Sequence, residues 1–386
     1  MPERVNTIAI SAPSIFDGAR FLRDHCVTIR EGEVQQLLPL ENLPAHLQQV
    51  SLPTGILAPG FIDLQVNGGG DLMFNNEPSE ATLAVMLDAH RATGTTTMMP
   101  TFISDTTARR KAAVAAVRDA RSGGNRGILG IHLEGPYFEV ARRGAHRAEM
   151  IRRVRDEDIA WLCSLQDLRV IVTLAPEHIS PEQIRSLTDS GIHLCAGHTN
   201  ASYAQISAAV AAGMEGITHL YNAMGPLASR EPGTVGAALV EDALWAGVIA
   251  DGHHVHPANI RLAHRAKPEG RLVLVTDAMA TVGGTQDTFS LYDEQVSARD
   301  GRLVNAEGVL AGSAIGMIDA VRYAAGPVGL PLDECLRMAS LYPAAILELD
   351  NRLGRIASGY RADLVHFDDQ FRVHNTWLVG ERRQHL

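Results

Sequence analysis

Cysteine is scarce in this sequence, which has four among its 386 residues. They are scattered and show no Cys-x-x-Cys spacing, so nothing in their pattern indicates a disulfide framework. The first residues, Met1 to Arg4, lack the charged and then apolar pattern of a secretory signal peptide. We therefore expect reduced, mostly buried thiols in a cytoplasmic protein. The four residues are Cys26, Cys163, Cys195 and Cys335.

Basic residues are outnumbered as well. The 34 lysines and arginines are set against 44 aspartates and glutamates, which gives a formal net charge of −10. A nucleic-acid-binding protein would show a basic face, so this balance argues against nucleic acid as a partner. It leaves room for a local basic pocket that holds an anionic small molecule. No apolar run approaches the length of a membrane span, so we expect no membrane partner either.

The middle of the sequence alternates β-prone and helical segments. The first strand of the series is Phe61–Val66 and the last is Leu272–Thr276, and the total is roughly eight. This count predicts an α/β fold, a (β/α)8 TIM-like barrel. The alternative is an open doubly wound sheet, which would normally carry a GxGxxG fingerprint after its first strand. The three glycines at 68–70 lack that spacing, so we favour the barrel.

Both ends of the chain differ from its middle. Residues 1–57 contain short β-prone segments broken by prolines, and residues 354–386 become β-like again. Neither end has enough apolar residues to fold alone. We predict that 1–57 and 354–386 together form one small, discontinuous β-sandwich domain, beside a barrel domain of residues 58–353.

The stretch from Ile192 to Met224 organises the predicted site. We expect a strand, a helix over Ala201–Ala212 with Asn200 as its N-cap, and a second strand parallel to the first. His198 and His219 follow the two strands at matching positions, so they lie at the same end of the sheet and close enough to share a metal ion. The alternative is that each is a packed histidine with ordinary hydrogen bonds. That alternative suits one histidine alone, whereas the matching pair favours a site.

Two carboxylates follow other predicted strands. Glu134 ends a largely apolar run, where an unpaired carboxylate is costly. A metal would neutralise it, and a salt bridge to Arg142 or Arg143 is the alternative. With the two histidines, Glu134 gives an N/O ligand set suited to Zn²⁺. Asp277 follows the last strand, and we interpret it as a general base that later returns its proton, in preference to a helix N-cap.

A histidine-rich segment, residues 251–257, follows the seventh predicted strand. Its spacing does not match a helical metal-binding pair, so we favour hydrogen bonding of one or two histidines to substrate over a second metal site. Arg230 lies in the loop after the sixth strand, where it would suit bidentate binding of a phosphate group. A surface ion pair with Glu231 is the alternative for this arginine.

Six motifs run through the chain: HLEGPY (132–137), GHT (197–199), THLYNAM (218–224), DGHHVHP (251–257), TDAM (276–279) and LAGS (310–313). Together they resemble the N-acetylglucosamine-6-phosphate deacetylases of the amidohydrolase superfamily. The likeness covers essentially the whole chain, including LAPGFIDLQVNG at 57–68. The segment GRIASGYRADLV at 354–365 is similar to part of the small β-domain of that superfamily.

The resemblance implies roles for individual residues. Glu134, His198 and His219 match the family's metal ligands, and Asp277 matches its catalytic acid/base. His146 matches a histidine near the acetamido group that helps to polarise the carbonyl. Family members are usually dimers, which implies a homodimer whose phosphate pocket can be completed across the interface. The residues that match the sugar-phosphate site are Asn222, Ala223, Arg230 and His254.

The first barrel strand departs from the wider superfamily. Many amidohydrolases carry His-x-His there and bind a second metal, whereas this chain reads Gln65-Val66-Asn67. Neutral amides are poor ligands beside imidazole, so we predict one divalent metal per subunit. Zn²⁺ is the expected ion, and Fe²⁺, Co²⁺ or Mn²⁺ could support the same chemistry. Some deacetylases of the family share the Gln-x-Asn variant, so it does not count against activity.

The reaction that the resemblance implies is hydrolysis of the N-acetyl group of N-acetyl-D-glucosamine 6-phosphate. The products would be D-glucosamine 6-phosphate and acetate, a step of amino-sugar catabolism. Asp277 would take a proton from the attacking water and pass it to the departing amine, while the metal and His146 stabilise the oxyanion. Two alternatives stay open: a deacetylase of N-acetylgalactosamine 6-phosphate or another N-acyl amino sugar, and a non-catalytic sugar-phosphate sensor.

Overall fold

The computed structural model describes residues 7–299, 301–306 and 308–385. Val5 and Asn6, at the start of the β-prone stretch, lie outside these ranges. Seven short strands come first in the chain. They are β1 (Ile8–Ser11), β2 (Ser14–Phe16), β3 (Phe21–Leu22), β4 (His25–Arg30), β5 (Glu33–Pro39), β6 (Gln48–Ser51) and β7 (Ile56–Pro59).

Strands and helices alternate through the middle of the chain, as the sequence predicts. The elements are β8 (Phe61–Val66), β9 (Gly68–Gly69), β10 (Leu72–Met73), α1 (Glu80–Arg91), β11 (Thr95–Ile103), α2 (Thr107–Ser122), β12 (Gly130–Glu134), α3 (Asp156–Cys163), β13 (Arg169–Leu174), α4 (Pro181–Asp189), β14 (Ile192–Ala196), α5 (Tyr203–Ala211), β15 (Gly216–Ile217), α6 (Gly233–Val240), β16 (Trp245–Ile249), α7 (Pro257–Ala266) and β17 (Leu272–Val275).

Six elements that the sequence predictions lack come next, a small antiparallel sheet of three strands and then three helices. They are β18 (Thr288–Leu291), β19 (Glu294–Arg299), β20 (Arg302–Val304), α8 (Met317–Ala325), α9 (Leu332–Ala339) and α10 (Leu341–Ile346). The C-terminal strands lie in the predicted β-like tail and are β21 (Leu364–Phe367), β22 (Val373–Leu378) and β23 (Glu381–Gln384). Short 3-10 helices lie at Leu40–Asn42, Val140–Arg142, Ala148–Met150 and Pro176–His178.

Eight strands form one sheet in the order β17-β16-β15-β14-β13-β12-β11-β8, and every neighbouring pair is parallel. The last strand returns to the first at a seam, where Val66 forms a parallel bridge with Ala278. At the same seam the Asp277 amide donates to the Gln65 carbonyl at 3.0 Å. The barrel is therefore nearly closed, and the (β/α)8 prediction is confirmed. None of the described helices is long and apolar enough to cross a membrane.

The two ends of the chain come together outside the barrel, as predicted. β21 pairs antiparallel with β7 within a six-stranded sheet ordered β23-β22-β21-β7-β2-β3, and a second sheet has the order β5-β4-β1-β6. An apolar cluster of these strands includes buried Ile10, Val27 and Trp377. The predicted domain limits at 57/58 and 353/354 stay predictions, and β7 spans the first of them.

The helix between the two histidine-bearing strands begins later than predicted. Ser202, not Asn200, is its N-cap: the Ser202 hydroxyl accepts from the Gln205 amide, and Gln205 reaches back to the Ser202 amide at 2.8 Å. This reciprocal capping box outcompetes an isolated asparagine because it satisfies two helix-end donors at once. Asn200 instead donates its own backbone amide to Glu177.

Candidate metal centre and active site

Three side chains converge at the carboxyl ends of neighbouring barrel strands. Glu134 is the last residue of β12, and His198 and His219 each lie two residues beyond the ends of β14 and β15. Glu134 Oε1 lies 3.0 Å from His198 Nε2 and 3.2 Å from His219 Nε2, and the two Nε2 atoms are 3.0 Å apart. Ligands on Zn–N and Zn–O bonds of about 2.0–2.2 Å would be separated by about 3.3 Å in a tetrahedron. The three atoms therefore fit one divalent cation.

The orientation of His198 supports the same interpretation. His198 Nδ1 donates to the Arg142 backbone carbonyl at 2.8 Å, which directs Nε2 at Glu134 as the ligand atom. Phe138 stacks on the His198 ring with centroids 4.3 Å apart and fixes its plane. Burial opposes ionisation of Glu134, but hydrogen bonds and charge from the two histidines outweigh it and hold the Glu134 pKa well below its ordinary value. A buried carboxylate with two imidazoles is an ordinary N/O site for a metal.

The salt bridge considered for Glu134 is not formed. Arg142 donates to the Asn200 side chain, and Arg143 donates to the His146 carbonyl at 3.3 Å. The second oxygen of Glu134 accepts from Gln65 Nε2 at 3.1 Å. Both carboxylate oxygens thus have partners within the barrel mouth.

The backbone turns sharply at the two predicted histidine ligands and at the predicted base. His198, His219 and Asp277 have φ values of +51°, +33° and +51°, in the left-handed region that residues other than glycine seldom adopt. Such conformations cost of order 1–3 kcal/mol each and persist where the surrounding structure enforces them. Each turn directs a side chain into the mouth of the barrel immediately after its strand.

Asp277 lies opposite the three ligands. Its Oδ1 accepts from Asn67 Nδ2 at 2.7 Å and from Gln65 Nε2 at 3.1 Å. Gln65 therefore donates to both carboxylates, Glu134 and Asp277, from the strand where other amidohydrolases carry His-x-His. No described helix begins directly after Asp277, so the N-cap alternative does not hold. The two amides therefore supply hydrogen-bond donors to the Asp277 carboxylate.

The electrostatic surroundings of Asp277 suit a group that exchanges protons. Burial, followed by the charge of Glu134, raises the pKa of Asp277 to about 6, against opposing contributions from His219, His254 and Asn67. A carboxylate with a pKa near neutrality can accept a proton and return it within one reaction cycle. This placement favours the general-base interpretation of Asp277.

His146 borders the same space as a neutral imidazole. Its Nδ1 accepts from the Ser104 backbone amide at 3.3 Å and lies 2.8 Å from the Ser104 hydroxyl. Burial, with further repulsion from His198, lowers the pKa of His146 to about 3. Because Nδ1 accepts, the ring proton resides on Nε2, which can act as a donor. Ser104 and Phe138, which orient the two histidine rings, were not among the predicted residues.

These groups line one cavity of about 300 Å³ at the mouth of the barrel. Eight of the nine predicted site residues border it. Arg230 does not: it is exposed and lies outside the cavity lining of this chain. The lining includes Asn67, Glu134, His146, His198, His219, Asn222, Ala223, His254 and Asp277.

The three histidines of the segment at residues 251–257 have different surroundings. His254 borders the cavity, and its Nδ1 donates to Asp251 Oδ2 at 2.6 Å, which leaves Nε2 for a ligand. His256 caps α7 by accepting from the Ala258 amide at 3.2 Å, while His253 is exposed. The described residues of this segment do not assemble a second metal site. Asp251 was overlooked as an orienting residue, although Asp three residues before a histidine is a visible signal.

The surface ion pair considered for Arg230 and Glu231 is not formed. Glu231 Oε1 accepts from the backbone amides of Tyr203 at 2.8 Å and Gly233 at 2.9 Å, so it stabilises the starts of two helical segments. It forms no ion pair with Arg230 among the described residues. The guanidinium of Arg230 is therefore available to a ligand or to another chain.

Comparison with known proteins yields consistent matches. The model of the Amidohydrolase family matches residues 56–383. The chain is 43% identical over 377 residues to N-acetylgalactosamine-6-phosphate deacetylase of Shewanella sp. (strain ANA-3), with 95% of each chain covered. It is 34% identical to N-acetylglucosamine-6-phosphate deacetylase of Haemophilus influenzae, with 94% of this chain and 96% of the relative covered. The crystal structure of N-acetylglucosamine-6-phosphate deacetylase from Pasteurella multocida superposes with a TM-score of 0.95 at 38% identity, covering 98% of this chain and 100% of that one.

Proposed function

Because the chain belongs to the amidohydrolase family, we propose that it is a metal-dependent deacetylase of N-acetylhexosamine 6-phosphates. The reaction is hydrolysis of the N-acetyl amide, with acetate and the hexosamine 6-phosphate as products. N-acetyl-D-glucosamine 6-phosphate is the substrate expected from the sequence motifs. Relatives of this chain carry that deacetylase name and the galactosamine name.

One observation carries the proposal. Glu134, His198 and His219 present three ligand atoms to a single point, and Gln65 joins Glu134 to the carboxylate of Asp277 across the same cavity. A cation held by the three ligands would supply Lewis-acid polarisation and acidify a water molecule. Zn²⁺ is the proposed ion because the ligand set is one carboxylate and two imidazoles.

The residues of the chain perform the proton transfers. Asp277 accepts a proton from the attacking water and donates it to the nitrogen as the C–N bond breaks. His146 offers its Nε2 proton to the acetyl carbonyl oxygen, where negative charge develops. Asn67 and Gln65 hold Asp277 in place by donating to its Oδ1. A sugar-phosphate sensor would have no use for this base opposite a complete ligand set.

The rest of the substrate is assigned to the outer part of the cavity. His254, oriented by Asp251, and the turn at Asn222 and Ala223 border the space where the sugar phosphate would lie. Arg230 is exposed, and we propose that it binds phosphate in the cavity of a second subunit of a homodimer. The homodimer and the cytoplasmic location stay predictions, and light scattering of the purified protein tests the first.

A second candidate substrate is favoured by a specific observation. Two relatives, at 43% and 34% identity, are named for N-acetylgalactosamine 6-phosphate, and others at 33–39% identity are named for the glucosamine epimer. The two sugars differ at one hydroxyl group, and the same amide chemistry serves both. The ratio of kcat/KM for the two phosphorylated epimers decides between them.

The central experiment measures acetate release by the purified protein. N-acetylglucosamine 6-phosphate, N-acetylgalactosamine 6-phosphate and unphosphorylated N-acetylglucosamine are compared side by side, with and without a chelator. We expect release from at least one phosphorylated sugar, loss of activity on chelation and recovery on adding Zn²⁺. Absence of acetate release from both phosphorylated sugars by metal-loaded protein would overturn the proposal.

A further inference from the structure

A second cavity lies at the opposite end of the barrel. Its volume is about 340 Å³, and it is bordered by Leu129, just before β12, and by Arg169, where β13 begins. Gly32 and Val379, from turns of the terminal sheets, border its other side. β12 runs from this end to Glu134, so about 13 Å of strand separates the two cavities. The second cavity is therefore distinct from the candidate active site.

Arginine dominates the lining of this cavity. Arg361 is the one that pairs with a carboxylate, that of Asp363. Among the described residues, the other arginines of the lining have no carboxylate oxygen within 4.0 Å. Glu31 and Glu33 are the acidic residues of the lining. The arginines are Arg121, Arg126, Arg169, Arg352 and Arg361.

Two of the unpaired guanidinium groups, those of Arg121 and Arg169, are held in place by backbone carbonyls. Arg121 donates to the backbone carbonyls of Ile128 and Leu129, and Arg169 donates to the Leu347 carbonyl at 3.1 Å. Burial, and then the charges of Arg169 and Arg126, lower the pKa of Arg121. Like charges so close destabilise the fold unless an anion compensates them.

Two further arginines complete the arrangement from different parts of the chain. Arg126 follows α2 in the barrel, and Arg352 lies in the connection that leads to the terminal sheet. Both are exposed, and neither guanidinium donates to the described protein groups of the cavity. They remain free to donate to a ligand. The clustering of unpaired arginines at this cavity contrasts with the net charge of −10 of the whole chain.

We propose that this space, which we name the basal arginine cavity and define by Arg121, Arg126, Arg169 and Arg352, binds a small molecule that carries a phosphate group. The planar fork of arginine matches phosphate oxygens bidentately, and several forks around one concave space suit a phosphorylated metabolite. The volume lies within the range of small-molecule sites. Because its walls come from the barrel and from the terminal sheets, a bound anion would hold the two parts together.

The test compares the thermal stability of three full-length proteins in inorganic phosphate and in sodium chloride of equal ionic strength. They are the unmodified chain, the cavity variant Arg126→Gln/Arg352→Gln, and a control variant Arg23→Gln/Arg153→Gln. The control also removes two exposed arginines that pair with no carboxylate among the described residues, and neither borders the cavity. Phosphate bound at the candidate active site would contribute equally to all three. Differences between the proteins therefore report the basal arginine cavity alone.

We expect phosphate at tenfold its dissociation constant to raise the Tm of the unmodified chain and the control by about 2 °C beyond sodium chloride. The cavity variant should show less than half of this shift. At low ionic strength without phosphate, the cavity variant should be at least as stable as the unmodified chain, because repulsion has been removed. Arginines with a purely structural role would instead lower the Tm when replaced.

Three results would overturn the proposal: an equal phosphate-dependent shift in the cavity variant, no shift beyond sodium chloride in the unmodified chain, or a lower Tm of the cavity variant at low ionic strength. The readout does not depend on deacetylation. Acetate release by the cavity variant, measured without phosphate, separates a failure here from a failure of the proposed function.

Discussion

Asn67 donates its side-chain amide to Asp277, with Nδ2 and Oδ1 2.7 Å apart. The contact joins residues 210 positions apart in the sequence, at the seam between the first and last barrel strands. It stabilises the ionised form of a carboxylate whose pKa burial and Glu134 raise to about 6. A substitution at Asn67 should therefore change the pKa of Asp277.

Replacing Asn67 with Asp should move the acid limb of the pH profile of kcat/KM upward by about one unit or more. The limb of the unmodified chain is expected at or below about pH 6, because a bound cation lowers the pKa of Asp277 further. The second carboxylate disfavours ionisation of Asp277 and removes a donor. Asn67→Ala, which removes only the donor, should move the limb less. An unmoved limb in the Asp variant contradicts the assignment of the base.

Asp277→Asn should reduce kcat at least about 100-fold while metal stays bound, because the amide cannot accept the proton. Metal content by elemental analysis and acetate release are the two measurements. Asp369→Asn, at an exposed position of the terminal domain, is the matched control and should keep both. Near-normal turnover by the Asp277 variant would exclude it as the base.

Glu177 should strengthen metal binding without touching the metal. One of its oxygens accepts from the Thr199 hydroxyl and the other from the Asn200 amide at 2.8 Å, directly after the left-handed turn at His198. Glu177→Ala should weaken metal affinity by about tenfold or more, as loss of outer partners does in other metal sites. Glu182→Ala, an exposed glutamate on α4, is the control. Equal metal dissociation constants in the two variants would show that Glu177 has no positioning role.

His90 should contribute to acid sensitivity. It is buried, its Nε2 lies 2.8 Å from the Gly68 carbonyl oxygen, and burial lowers its pKa to about 4. Its stabilising contribution is present above the unfolded pKa of about 6.5 and is lost as pH falls toward 4, with a full size of about 3 kcal/mol. His90→Gln should therefore flatten the dependence of the unfolding free energy on pH between 6.5 and 4. Denaturant titrations at several pH values measure that slope, and an unchanged slope contradicts the assignment.

The sequence predicts the parts of the site that follow from strand order. Glu134, His198, His219 and Asp277 each follow an apolar strand, and parallel strands place their carboxyl ends at one mouth. Those residues are brought together in the structure as the spacing suggests. The barrel and the pairing of both termini in sheets were predictable for the same reason, since periodicity and turn residues mark each strand.

Contacts across long sequence separations were not predictable. Gln65 reaches Asp277 over 212 positions, and no local pattern reveals that its amide joins two carboxylates. Ser104 orients His146 by a contact of the same kind. β18 and β20 were missed because they have only four and three residues, and β19 was missed because its two exposed first residues and few apolar ones leave little hydrophobic periodicity. Arg230 was expected at the phosphate from its loop position and from the family resemblance; it is exposed and outside the cavity lining of this chain, and its role stays a prediction.

The seam between Val66 and Ala278 determines when, during synthesis, the proposed base can join the proposed metal ligands. All three proposed ligand residues have been synthesised once residue 219 has emerged, whereas Asp277 and its strand follow more than fifty residues later. Asp277 meets Asn67 and Gln65 only when the last strand docks on the first and completes the ring of strands. The chain therefore contains the three proposed cation ligands before it contains the proposed base, and closure of the strand ring completes the proposed catalytic arrangement.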